Sequence, residues 1–116
     1  MALLTREQIL RADDTQIETV EVPEWGGSVG VRTLTGADKD AWEVERQTGG
    51  EFSLDNIRAS FVARTACDGA GQQLFSVDDV VALGKKSAKA LDRVFQIAKR
   101  LNNVTDDELE EIEKES

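Results

Sequence analysis

At 116 residues and 12.7 kDa, with 40% hydrophobic and 32% charged residues, the chain has material for one domain and one core. It holds no histidine, no tyrosine and a single cysteine, Cys67. That composition removes the commonest general base, the commonest metal ligand and any intrachain disulfide together, and points away from enzymatic chemistry. A net charge of −9 lacks the basic footprint of a nucleic-acid binder.

The chain opens with a helix signal. Thr5 and Gln8 form a capping box, and Leu4 and Ile9 stand where a hydrophobic staple belongs, so a short helix is expected to end near Ala12. Val20/Val22 and Val29/Val31 alternate with period 2 on either side of Pro23-Glu24-Trp25-Gly26-Gly27-Ser28. Pro fixes one φ and the glycines permit positive φ, which predicts a β-hairpin over 17–22 and 29–34 with a six-residue loop. Thr35 and Asp38 open a helix that should run to about Thr48 and stop at Gly49-Gly50, with Ala37, Ala41 and Val44 on one face and Trp42 beside them. Ser53, with a Phe52/Ile57 staple, opens the next helix, whose stripe is Leu54, Ile57, Phe61 and Val62.

Asp68-Gly69-Ala70-Gly71 reads as a turn, around which 65–67 and 72–75 are expected to make a small second hairpin. Ser76 and Asp79 cap a short helix closed by Gly84, with Phe75 and Val80 as staple. Residues 86–102 carry the clearest amphipathic pattern, with Leu91, Val94, Phe95, Ala98 and Leu101 on one face. Thr105 and Glu108 form another capping box, starting an acidic helix whose apolar residues are Leu109 and Ile112. The expected fold is therefore α+β: an antiparallel hairpin followed by a set of short helices. The expected organisation is one globular domain over 1–104 and an acidic helix or frayed tail over 105–116. No apolar run approaches a membrane span, and Leu4 is followed at once by Thr5, Arg6 and Glu7, without a signal-peptide core. A cytoplasmic location is expected.

Few residues stand out as candidates for function. The acidic pairs Asp13-Asp14, Asp78-Asp79 and Asp106-Asp107 are best read as helix punctuation, because acids near a helix start complement its dipole. Without a histidine, Cys67 lacks the usual activating partner of a nucleophile. Trp25, at the tip of a Pro/Gly loop, either folds back over one end of the core or projects as an anchor for a partner. Lys86, Lys89, Arg93 and Arg100 lie opposite the apolar face of their helix. They form a solvated face or a docking surface for an acidic segment. Residues 85–100 sum to +5 and residues 105–116 to −6, which invites salt-sensitive head-to-tail pairing between copies into a homo-oligomer, or the simpler pairing within one chain. Trp25, Lys86, Lys89, Arg93, Leu109 and Ile112 are the candidate partner-binding residues. No cofactor, metal, nucleic acid or membrane is expected as a ligand.

Particular stretches also resemble a known family. LLTREQIL at residues 3–10, Asp13-Asp14, VEVPEWGGSV from Val20 and LTGADKDAWE from Leu34 look like the N-terminal half of tail assembly chaperones of long-tailed bacteriophages and prophages. The run from Arg58 to Asn102 is similar to the same family in its Asp-Gly turn, Leu-Phe-Ser, Leu-Gly and Leu-Asp-Arg-Val-Phe order, departing mainly at Gln72-Gln73. The resemblance implies a chaperone that binds the tape measure protein, keeps it soluble and promotes assembly of the tail tube around it. It also implies action in the bacterial host cytoplasm and absence from the mature virion. Further implied partners are the tail tube protein and a longer, frameshifted form of the chain itself. The competing class is a structural head–tail joining or tail-completion protein.

Overall fold

A computed structural model describes residues 2–48 and 54–104, so the expected helix start at Ser53 and its Phe52 staple, the Gly49-Gly50 stop and the acidic segment 105–116 lie outside the described residues. Helix α1 (Arg6–Arg11) begins at the predicted capping box: Gln8 N–H donates to Thr5 Oγ1 at 3.2 Å and Thr5 N–H to Gln8 Oε1 at 2.9 Å. Strands β1 (Ile17–Val22) and β2 (Gly27–Arg32) pair antiparallel, with Val20 opposite Val29 and Val22 opposite Gly27. The connection is therefore shorter than the six residues expected, and β2 begins and ends two residues earlier. Pro23–Trp25 form a single 3₁₀ turn, which Gly26 closes in the left-handed region at φ 76° with its N–H on the Pro23 carbonyl. That turn completes the reversal within four residues, so Gly27 and Ser28 enter the ladder.

Helix α2 (Gly36–Thr48) starts from Thr35, whose Oγ1 accepts from Asp38 N–H at 3.1 Å. Among its described side chains the buried one is Trp42, while Ala37 and Val44 are exposed and Ala41 is half-buried. The expected alanine–valine face is thus only partly covered, at Ala41, and the indole beside it makes the buried contact. Helix α3 (Leu54–Thr65) is the centre of the molecule and packs against α2, α4 (Val80–Gly84) and α5 (Ala88–Asn102). Ile57, Ala59, Ser60, Phe61, Val62, Ala63 and Thr65 are all buried, so from Ile57 onward α3 is covered on most faces rather than along one stripe; the side chain of Leu54, expected in that stripe, lies outside the described ones. Ser60 and Thr65 tolerate this because their hydroxyls donate to backbone carbonyls one turn back, at 2.9 Å each.

α3 runs directly into β3 (Ala66–Cys67), which pairs antiparallel with β2 and completes a three-stranded sheet of order β1-β2-β3. The expected second hairpin reduces to one bridge between Cys67 and Gln73, closed by Asp68, whose Oδ1 accepts from the N–H groups of Ala70 and Gln72. The pairing is tight: a Cβ on Gly30 would lie 2.7 Å from the Cys67 carbonyl oxygen, so only glycine fits there. Ser76 and Asp79 cap a 3₁₀ turn over Val77–Asp79 that leads into α4.

α5 begins two residues later than its amphipathic pattern, because Ser87 supplies the N-cap by accepting from Ala90 N–H. It lies against β1, β2 and α3, burying Ala90, Leu91, Val94, Phe95 and Ala98. Two polar side chains lock these layers together. Arg32 donates Nε and Nη2 to the Arg64 carbonyl at the end of α3, at 3.1 and 2.9 Å, and sits 3.5 Å from Asp38 at the start of α2. Asn102 accepts from Leu34 N–H at 2.7 Å and donates to the Arg32 carbonyl at 3.3 Å, tying the end of α5 to the end of β2. A cation at a helix C-terminus and an acid at a helix N-terminus both complement the helix dipole.

Candidate interaction surface

Lys86, Lys89, Arg93 and Arg100 are all exposed; the last three are on α5, while Lys86 falls before its Ser87 N-cap rather than on the helix as expected. Two of them already have acidic partners within the described chain. Arg93 Nε donates to both Glu24 carboxylate oxygens at 3.0 and 3.1 Å, and Arg100 Nη2 to both Glu18 oxygens at 2.6 Å. The hairpin thus supplies acids that the charge count had assigned to the tail. These contacts join residues 69 and 82 positions apart, which no local pattern announces. The Glu24 carboxyl is held below the usual carboxylate range, first by a backbone N–H hydrogen bond and then by Arg93, with a smaller contribution from Lys89. Lys89 lies in the first turn of α5 and Lys86 just before its N-cap, and Leu109 and Ile112 lie outside the described residues.

Trp25 is half-buried and packs against the hydrophobic core together with Val20, Val29 and Leu34. The 3₁₀ turn that carries it rests on α5, where the Glu24–Arg93 pair holds the loop down. The indole therefore touches the core and keeps part of its surface in solvent.

The apolar surface is elsewhere. α1 buries none of its residues; Leu3 is 94% exposed, Leu4 69% and Leu10 67%, with Ile9 also outward. The staple pair therefore has no core beneath it: the helix presents Ile9 and Leu10 to solvent, and Leu3 and Leu4 are exposed just ahead of it. A second patch runs through Leu74, Val77 and Val81, all at least half exposed, beside an open groove of about 470 Å³ lined by Arg64, Gln73, Phe75 and Asp79. Sequence reading placed both segments in capping motifs but did not see them as surfaces. The signal was an apolar residue in a helix too short to bury it, six residues in α1 and five in α4. Clustered apolar side chains on a surface mark sites of protein contact more often than scattered ones.

A third cluster surrounds Phe95. Its ring packs edge-on to Phe61 at 6.1 Å and carries two cations, Arg58 with its guanidinium carbon 5.6 Å from the centroid and Lys99 with its ammonium 5.2 Å away. Cys67 is buried under Gly30, and burial pushes its thiol up from the ordinary cysteine value, which suppresses the thiolate form. Among the described residues no three Cys, Asp or Glu side chains converge as metal ligands, and no helix is long and apolar enough to cross a membrane.

Neither the protein-family models nor the curated proteins give a match to this chain. Among solved structures, it is similar to the tail assembly chaperone of bacteriophage HK97, with a TM-score of 0.56 and 25% sequence identity. The match covers 86% of this chain and 95% of that one. The likeness bears out the resemblance carried by the PEWGG loop and the segments that follow it.

Proposed function

From its kinship with the phage tail assembly chaperones, we propose that this chain is such a chaperone, binding the tape measure protein and promoting tail tube assembly around it. The observation that carries the reading is a fold match running through almost the whole of both chains. The exposed apolar surface supports it physically. A tape measure protein, as the family resemblance describes it, is a very long helix-rich chain whose apolar stripes need cover until the tube encloses them. A small acidic protein with unburied Leu3, Leu4, Ile9 and Leu10 at and before α1, and a groove lined in part by Leu74, Phe75 and Val77, offers such cover. On this reading the site of action is the bacterial host cytoplasm. The tail tube protein is a further partner, and the chain leaves before the virion is complete.

Co-expression with the cognate tape measure gene tests the proposal. The tape measure protein is expected to become soluble and to be captured with this chain. Unchanged solubility together with no co-purification rejects the proposal. Stoichiometric recovery of the chain from mature virions would instead identify a structural component of the particle.

The proposal places the main contact on α1 and the residues just before it, with Lys86 and Lys89 as additional exposed cations. Leu4→Ser combined with Leu10→Ser is expected to leave the thermal midpoint unchanged, because neither side chain is buried. The same double variant is expected to weaken tape measure capture by about 2 kcal/mol or more, as loss of an interface anchor does. Full capture by the double variant, measured by titration calorimetry, would move the contact away from α1.

A further inference from the structure

β1 is an open edge of the sheet. β2 pairs with it on one side, and among the described residues no strand pairs with it on the other. In an antiparallel pair, alternate residues bond toward the partner strand. Thr33 N–H donates to the Gln16 carbonyl at 2.9 Å, and the unbroken register carries that bonding on to Glu18, Val20 and Val22. The N–H and C=O groups of Ile17, Thr19 and Glu21 therefore point away from β2. Such an edge is a template for an added strand.

Two features indicate what fits on it. The first is charge. Residues 12–24 hold five acids and no base. Glu18 and Glu24 are paired with Arg100 and Arg93, while the carboxylates of Asp13, Asp14 and Glu21 have no partner among the described residues. Glu21 shares the solvent face of the strand with Ile17 and Thr19. The second is an apolar margin on the opposite face. Val20 and Ile97 pack against the core but keep part of their surface in solvent. α5 reaches Glu24 through Arg93 and Glu18 through Arg100, so it follows β1 with Ile97 between the two ion pairs.

We propose that the β1 edge receives an extended segment of a partner protein that alternates apolar and basic side chains. Its backbone pairs with Ile17, Thr19 and Glu21. Its apolar residues continue the margin at Val20 and Ile97, and its lysines or arginines lie on the solvent face beside Glu21. Side chains alternate between the faces of a strand, so one segment meets both demands. The same charge disfavours two other occupants. Segment 105–116 carries seven acids and one lysine, and a second copy of β1 brings its own acids. The surface is separate from α1, and the proposal stands independently of the chaperone reading.

Amide hydrogen exchange of the full chain, read by NMR at low salt, tests it with a peptide of about ten residues alternating valine and lysine. Saturation with the peptide is expected to slow exchange at Ile17, Thr19 and Glu21 by about tenfold or more, while Glu18 and Val20, already bonded to β2, change little. A peptide of the same composition with its valines and lysines in separate blocks should bind about tenfold more weakly. Thr19→Pro removes an edge donor without touching the ladder to β2, and is expected to weaken the alternating peptide by about tenfold. Glu21→Lys, an exposed change, is expected to weaken it as well, and keeps the test open where Thr19→Pro fails to fold. No binding, or equal binding of both peptides without the alternating protection, overturns the proposal. Protection of the three edge amides in the free protein overturns it too. If it grows with concentration, a second copy holds the edge; if it does not, a segment of the same chain does.

Discussion

Trp42→Ala is expected to cost about 4 kcal/mol of folding stability, within the range for buried aromatic truncations. The indole is 1% exposed and meets Phe61 edge-on at 5.1 Å, and Phe61 in turn meets Phe95. One side chain thus joins α2, α3 and α5 through a chain of rings. Its Nε1–H also donates to Ser60 Oγ at 2.9 Å, and the Ser60 hydroxyl donates onward to the Ile57 carbonyl. Truncation therefore opens a cavity and removes a buried hydrogen bond together. Trp42→Phe keeps most of the apolar volume and is expected to lose roughly half as much. A domain of this size has only about 5–15 kcal/mol in total, so the alanine variant should melt far below the parent. Urea denaturation of both variants measures the difference. A loss below about 1 kcal/mol for Trp42→Ala would contradict the ring stack as the support of α2.

Trp25→Ala is expected to cost about 2–3 kcal/mol of stability, less than Trp42 because part of the ring remains in solvent. The ring closes one end of the core, and the 3₁₀ turn beneath it is held to α5 by the Glu24–Arg93 pair. The variant should still capture the tape measure protein at temperatures where it is folded. The opposite outcome, unchanged stability with capture weakened by about 2 kcal/mol, would make Trp25 the partner anchor instead. Measuring the melting midpoint and the capture affinity on one preparation separates the two. Leu4 and Leu10 supply the contrast, since they have no core contact to lose.

The two tryptophans show how differently position reads in sequence and in space. Trp25 sits between Pro23 and Gly26, a context that speaks of an exposed tip, yet the left-handed Gly26 tightens the turn enough to fold the ring inward. Trp42 sits beside an apparent apolar face of Ala37, Ala41 and Val44, yet it alone is buried among them. In both cases the deciding contact comes from a helix distant in the chain, α5 for Trp25 and α3 for Trp42.

What the sequence by itself determined are the features whose physics closes within one turn of chain. The capping boxes at Thr5, Thr35 and Ser76 are hydrogen bonds between residues three apart, and they form where the residue pattern says they must. The apolar face of α5 follows from helical spacing, and the absence of histidine bounds the chemistry before any fold is known. The tertiary structure decided what depends on partners far along the chain. It set the two-residue advance of β2, the joining of Ala66–Cys67 to the sheet, and the Arg32 clamp on α3 and α2. It also paired Arg93 and Arg100 with hairpin glutamates and left α1 without a core to cover. Periodicity reports which face of an element is apolar; whether a neighbour arrives to bury that face is settled only by packing, and here α3 buries most of its residues from Ile57 to Thr65 while α1 buries none.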